Sequence, residues 1–264
     1  MKGLIKIAGV LGLFLIVKFF VFISFSIGSD FFVDKDTVDQ VVFNSKLIGY
    51  STFISSIITL LVLYFWKPIR GIVDKWQKLS PFYLTLCLIL GFLGAALNSF
   101  ILSFFVDSQQ EMMEQSKVLL HSGIIGLFSI AILVPILEEI VFRRILIEIL
   151  IKEVNPAIAI VISALVFGVL HGQPVQMLGA TLLGLLFGWI YYQSKSILPS
   201  ILIHIINNAS FLMVLNYTEG SLEETVDDSY WSVQHPYGWI VFLVTLIVFS
   251  VVARVVYQKS RSRS

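Results

Sequence analysis

The chain has 264 residues, 57% of them hydrophobic and only 13% charged, and its mean hydropathy is +0.91. Soluble domains carry about 25% charged residues, so these values exclude a soluble enzyme and describe an integral membrane protein. A net charge of +1 points to no nucleic-acid partner, and a single cysteine, Cys87, excludes an intrachain disulfide and a cysteine-based metal cage.

At roughly 20 residues per crossing, about eight apolar segments are long enough to span, near 4–27, 47–66, 82–106, 119–150, 155–171, 177–193, 196–215 and 238–257. The fold class that follows is all-α, a polytopic membrane helical bundle forming one domain over 1–264. The first segment follows Lys2 and Lys6 as a signal peptide would, but it is long and interrupted by Lys18, so it reads as an uncleaved anchor. Lys18 has no assigned partner; snorkelling and facing the bundle are both open. The fifth and sixth segments are short, as helices packed inside a bundle or in locally thinned bilayer can be. On the sixth, Gly184 and Gly188 are spaced for close backbone packing.

Charge alternates between the connections. Segment 28–46 carries four aspartates, 107–118 is acidic, and 216–237 has five acids with no Lys or Arg. Segment 67–81 and the tail after 253 are basic. Lysine and arginine mark the cytoplasmic side, so both termini are expected there after an even number of crossings. Aromatics around Trp239 read as an interfacial belt.

The fourth segment holds Leu133-Val-Pro-Ile-Leu-Glu-Glu-Ile-Val-Phe-Arg-Arg144, two carboxylates and two guanidiniums in an apolar run. A charge near the bilayer centre costs roughly 3 kcal/mol on insertion scales, so such residues are paired or used. Glu139 and Arg143 are four apart and share a helix face. Glu138 is rotated about 100° away, which leaves it as the carboxylate free for chemistry. The bland alternative is an anchoring charge cluster at a helix mouth.

Two more pairs at the same spacing follow, Phe167-Gly-Val-Leu-His171 and His204-Ile-Ile-Asn-Asn208. Counting from the turn at Asn155-Pro156, Glu138 and His171 both stand about 25 Å along their helices. His204 stands roughly 13 Å from the turn near Ser194–Ser196, so the heights match only if the first hairpin protrudes further. His121 and His235 read as solvated. Singly, each histidine or asparagine reads as helix-to-helix glue worth about 0.6 kcal/mol; together they read as a site.

A carboxylate and a histidine can share a water and take its proton. A second histidine and an amide can donate to the oxyanion formed when water attacks a carbonyl. That set suits amide hydrolysis without a covalent intermediate, and no cofactor is expected. Zinc is the competing reading, since Glu138, His171 and His204 match a catalytic ligand count, although the His-Glu-x-x-His helix is absent.

In these residues the chain resembles the CPBP family of intramembrane proteases, which includes the type II CAAX prenyl endopeptidases and the bacterial Abi proteins. The family pattern of Glu-Glu-x-x-x-Arg, Phe-x-x-x-His and His-x-x-x-Asn on successive helices reads here as Glu138–Arg143, Phe167–His171 and His204–Asn208. The resemblance covers a core region at 120–215. It implies a cytoplasm-open cavity holding a water between Glu138 and His171, with His204 and Asn208 facing the scissile carbonyl. Glu139 and Arg143 would brace the helix, with Phe167 supporting. The implied activity is cleavage of membrane proteins or peptides near the cytoplasmic face, and the compact loops without organelle signals point to a bacterial plasma membrane. The rivals are a non-catalytic bacteriocin-immunity or peptide-binding protein of the same fold, and a proton-coupled transporter. A transporter should show paired halves or broken helices, and neither is found.

Overall fold

A computed structural model describes residues 2–32, 40–66, 78–220 and 232–262. Its elements are helical throughout, with no strand among the described residues. In chain order they are α1 (Lys2–Phe32), α2 (Gln40–Phe65), α3 (Pro81–Leu102), α4 (Val106–Ser116), α5 (123–150), α6 (Pro156–Val169), α7 (Pro174–Ser194), α8 (Leu198–Gly220) and α9 (Gly238–Arg261). Among the described residues, seven helical stretches are long and apolar enough to cross a membrane, and α6 is a shorter apolar helix. The all-α polytopic bundle expected from hydropathy is therefore the observed one.

Local chemistry sets several helix starts. Ser80 accepts a hydrogen bond from the Tyr83 amide at the head of α3, and Asn155 from Ile158 at the head of α6. Each cap precedes a proline at the first helical position, where the missing N–H would have had no partner. The same rule places the start of α7 at Pro174, three residues earlier than hydropathy suggested. The acidic stretch after α3 is itself helical, as α4.

The fourth span is irregular. Within α5, π-helical turns occupy Ser129–Leu133 and Ile140–Ile147, separated by the α-helical Val134–Glu139. A π turn joins each carbonyl to the amide five residues on, as Val134 N–H does to the Ser129 carbonyl. The next such bond would run to the Ile130 carbonyl from residue 135, a proline with no N–H to give. Asn208 on α8 supplies the donor instead, its Nδ2 lying 3.1 Å from that carbonyl. In the second π stretch the Phe142 carbonyl accepts from Ser163 on α6 at 2.9 Å. Wider turns put more residues into each unit of height, so Glu138 stands lower in α5 than a regular rise gives. In the fold Glu138 Oε2 lies 3.7 Å from His204 Nε2.

Helix ends collect on two faces. On the first, Ser260 of α9 donates to Gln193 of α7 at 2.7 Å, and the Lys259 ammonium lies 5.1 Å from the Phe82 ring at the head of α3. The start of α1 joins them, since a Cβ on Gly3 would lie 3.0 Å from Glu153 Oε1. On the second face, the α6–α7 turn reaches α4 through Gln173 donating to Gln115. There Val233 N donates to Ser103 at 2.9 Å, and Phe104 packs edge-on to Trp239 at 5.9 Å.

Gly184 and Gly188 do the packing expected of them. A Cβ at Gly184 would sit 3.1 Å from Ala164 Cα, and one at Gly188 would sit 3.0 Å from Ile160, so α7 lies directly on α6. The basic loop 67–77 and the acidic stretches 33–39 and 221–231 fall outside the described residues.

Candidate active site

Glu138 and Glu139 point in different directions, as their 100° separation requires. Glu139 is fully buried, and its Oε1 lies 3.0 Å from Arg143 Nη1. None of the Arg143 nitrogens is aligned for a hydrogen bond to a described residue, so this is a charge contact. The guanidinium is held instead between rings, 4.5 Å from the Phe167 centroid and 5.4 Å from Phe187. Sequence spacing predicted this pair but not its second partner: His204 Nδ1 lies 2.8 Å from the same Glu139 oxygen.

His204 therefore bridges both carboxylates. With Nδ1 directed at Glu139, its Nε2 lies 3.7 Å from Glu138 Oε2. The ring is 4% exposed and packs against Phe167 and Phe187 with centroids 5.8 and 5.5 Å away. It was expected to face the scissile carbonyl, but it is not among the residues lining the cavity described next; it stands behind Glu138.

That cavity has a volume of about 330 Å³, and its walls include Lys18, Thr52, Ile130, Glu138, His171 and Asn208. Four helices and one turn thus contribute polar groups to a single space. Lys18, left open by the sequence, belongs to this wall, its ammonium 4.5 Å from the Phe14 centroid. The volume admits several waters at about 30 Å³ each.

His171 is positioned differently from the expectation. Helix α6 ends at Val169, and His171 follows in a turn closed by Gly172 at φ +82°, a conformation that favours glycine. Its Nδ1 lies 2.8 Å from the Phe167 carbonyl, one of the last four carbonyls that a helix end leaves without an amide. A carbonyl only accepts, so Nδ1 carries the hydrogen and neutral His171 keeps Nε2 as an acceptor. The Phe167 ring also lies 4.7 Å from the imidazole centroid. Phe167 thus touches Arg143, His171 and His204 at once.

Asn208 lines the cavity while one of its two N–H bonds is occupied by the Ile130 carbonyl. Among the described residues, no three His, Cys, Asp or Glu side chains gather as a metal would need.

A further network lies between Arg143 and the first face, and sequence spacing did not reveal it. Tyr191 donates to Glu148 at 2.6 Å and accepts from Arg144 Nη1 at 3.0 Å. Its partners are on α5 and α7, so only the packing of those helices brings them together.

Residues 120–210 match the family model described as "Type II CAAX prenyl endopeptidase Rce1-like". The Bacillus subtilis (strain 168) protein described as "Putative membrane peptidase YdiL" is 35% identical over 81 residues, 31% of this chain and 33% of its own. The chain therefore spans about a third of the length of the curated relative it matches. No solved structure matches the chain. Over residues 120–210, where all three motifs lie, the chain is similar to the Rce1-like type II CAAX prenyl endopeptidases.

Proposed function

We propose that this protein is an intramembrane endopeptidase that hydrolyses peptide bonds in membrane-associated proteins or peptides, using a water activated by Glu138 and His171. The observation that carries this reading is the shared cavity, which Glu138, His171 and Asn208 all line. The description of the matched family and of the bacterial relative supports a peptidase, and the relative's source favours a bacterial plasma membrane.

In this mechanism the Glu138 carboxylate takes a proton from water as the water oxygen bonds to the scissile carbonyl carbon. His171 Nε2 accepts from the same water and orients it. The carbonyl π electrons move onto oxygen, and the second N–H of Asn208 donates to the oxyanion. The C–N bond then breaks as the proton held by Glu138 passes to the leaving nitrogen, giving a carboxylic acid and an amine. His204 acts through Glu138: its contact with both carboxylates holds Glu138 toward the cavity and fixes its distance from Glu139. No step requires a metal.

The test is cleavage of a library of membrane-spanning model peptides by protein reconstituted in liposomes, read by mass spectrometry. Wild type should release fragments, and folded Glu138→Gln should release them about 10²–10⁴-fold more slowly. Equal products from both proteins would overturn the mechanism. Peptides retained but never cut would favour the peptide-binding rival. Stoichiometric zinc in the purified protein, with activity lost on chelation and restored by zinc, would overturn the metal-free chemistry.

A further inference from the structure

We propose that the Glu138 cavity is served from the extracytoplasmic side, so that its substrates are peptide segments presented at the outer face of the membrane. The statement about substrates rests on the endopeptidase reading; the sidedness of the cavity does not.

The first observation is where the cavity lies between the two faces. His171 and Leu170, both in its wall, form the α6–α7 turn, and that turn contacts α4 on the second face through Gln173 and Gln115. Ile130 is seven residues into α5 from the same face, about 10 Å at a regular rise. His171 is half-buried and Leu170 is 37% exposed. These wall residues place an opening of the cavity at the second face.

The second observation is what closes the other end. Phe142 and Phe167 line the cavity and are 1% and 2% exposed. Beyond them toward the first face come Arg143, Phe187 and Tyr191, each 2% exposed or less, and then the Arg144–Tyr191–Glu148 network. This layer is continuous from α5 through α7, and it stands between Glu138 and the first face.

The third observation is charge. Among the described residues, Lys6, Lys78, Lys152, Lys195, Lys259 and Arg261 lie at helix ends or connections on the first face. Lys46 and Lys117 lie toward the second, where α4 also carries the acidic residues Asp107 and Glu111. Lysine and arginine are retained on the cytoplasmic side, so the first face is cytoplasmic and the closed end of the cavity points to it. The family resemblance implied a cytoplasm-open cavity; in this chain the helix ends and the charges assign the opening to the opposite side.

The test uses single added cysteines and a membrane-impermeant maleimide on intact bacterial spheroplasts, then on opened membranes. Native Cys87 is fully buried, so wild type serves as the blank. Thr52→Cys reports from within the cavity, Leu170→Cys from its rim and Lys195→Cys from the first face. The expected result is labelling of Thr52→Cys and Leu170→Cys on intact spheroplasts, with Lys195→Cys labelled only after opening. Labelling of the cavity positions only after opening, from neither side, or together with Lys195→Cys on intact spheroplasts overturns the proposal. Labelling needs no turnover, so an inactive protein can satisfy it and an active one can fail it.

Discussion

Two adjacent regions of this molecule hold nearly the same kinds of charged residue and treat them in opposite ways. In the dry layer, Glu139, Arg143, Arg144, Glu148 and Tyr191 are matched against one another between α5 and α7. In the wet region, Lys18, Glu138, His171 and Asn208 face a shared cavity. His204 stands between them, with one nitrogen toward each carboxylate. Charges that are matched and sealed hold helices together, whereas charges facing a cavity are available to a reacting molecule. Neighbouring residues 138 and 139 fall on opposite sides of this division because one helical step turns the side chain through about 100°.

The strongest way to break that comparison is Glu138→Gln. It keeps shape and removes the base, so turnover should fall by about 10²–10⁴-fold while yield and thermal unfolding in detergent stay near wild type. An unfolded Glu138→Gln protein would place Glu138 in the dry layer. The converse is Glu139→Ala, which strands Arg143 in an apolar setting. Removing one member of a buried pair costs about 3–5 kcal/mol, so folded yield and melting temperature should drop sharply. A well-folded Glu139→Ala protein would erase the distinction.

Asn208→Ala tests a residue with duties in both regions. Losing an oxyanion donor costs about 10²–10³ in kcat, and the effect should appear in kcat rather than KM because the contact forms in the transition state. The Ile130 carbonyl also loses its donor, so a stability loss of about 1–3 kcal/mol should accompany it. Asn208→Asp would restore no N–H to that carbonyl and should not rescue it.

Smaller effects sharpen the boundary. Tyr191→Phe removes the hydroxyl joining Arg144 to Glu148 and should cost about 1–3 kcal/mol in stability without touching the cavity. Lys18→Met should be the mildest, within about 1 kcal/mol in denaturation of the purified protein, because this ammonium faces the cavity beside Phe14. A large destabilisation by Lys18→Met would move Lys18 out of the wet region.

Much of the architecture was legible from residue order. Apolar length located the spans, and the turn at Asn155-Pro156 marked where α6 begins. The pairing of Glu139 with Arg143 was readable because four residues on a helix make neighbours of them. His171 was placed on the helix face although the chain leaves α6 two residues earlier. Gly172 was the available signal, since a positive φ turn after a helix favours glycine. Pro135 inside the fourth span was another, because a proline there must leave a carbonyl for something else to satisfy.

Sequence by itself determined the all-α membrane fold, the three motifs in order and one ion pair, because each depends on composition or on spacing within one helix. Tertiary structure alone decided that His204 bridges two carboxylates 65 and 66 positions away, that Asn208 fills the bond Pro135 cannot make, and that Lys18 joins the cavity wall. Those relations link different helices, whose tilts and rotations are set by side chains packing along their whole lengths. The π turns show how much this matters: one extra residue per turn changes both the height and the direction of every side chain that follows, and no pattern of spacing along a single helix records the result.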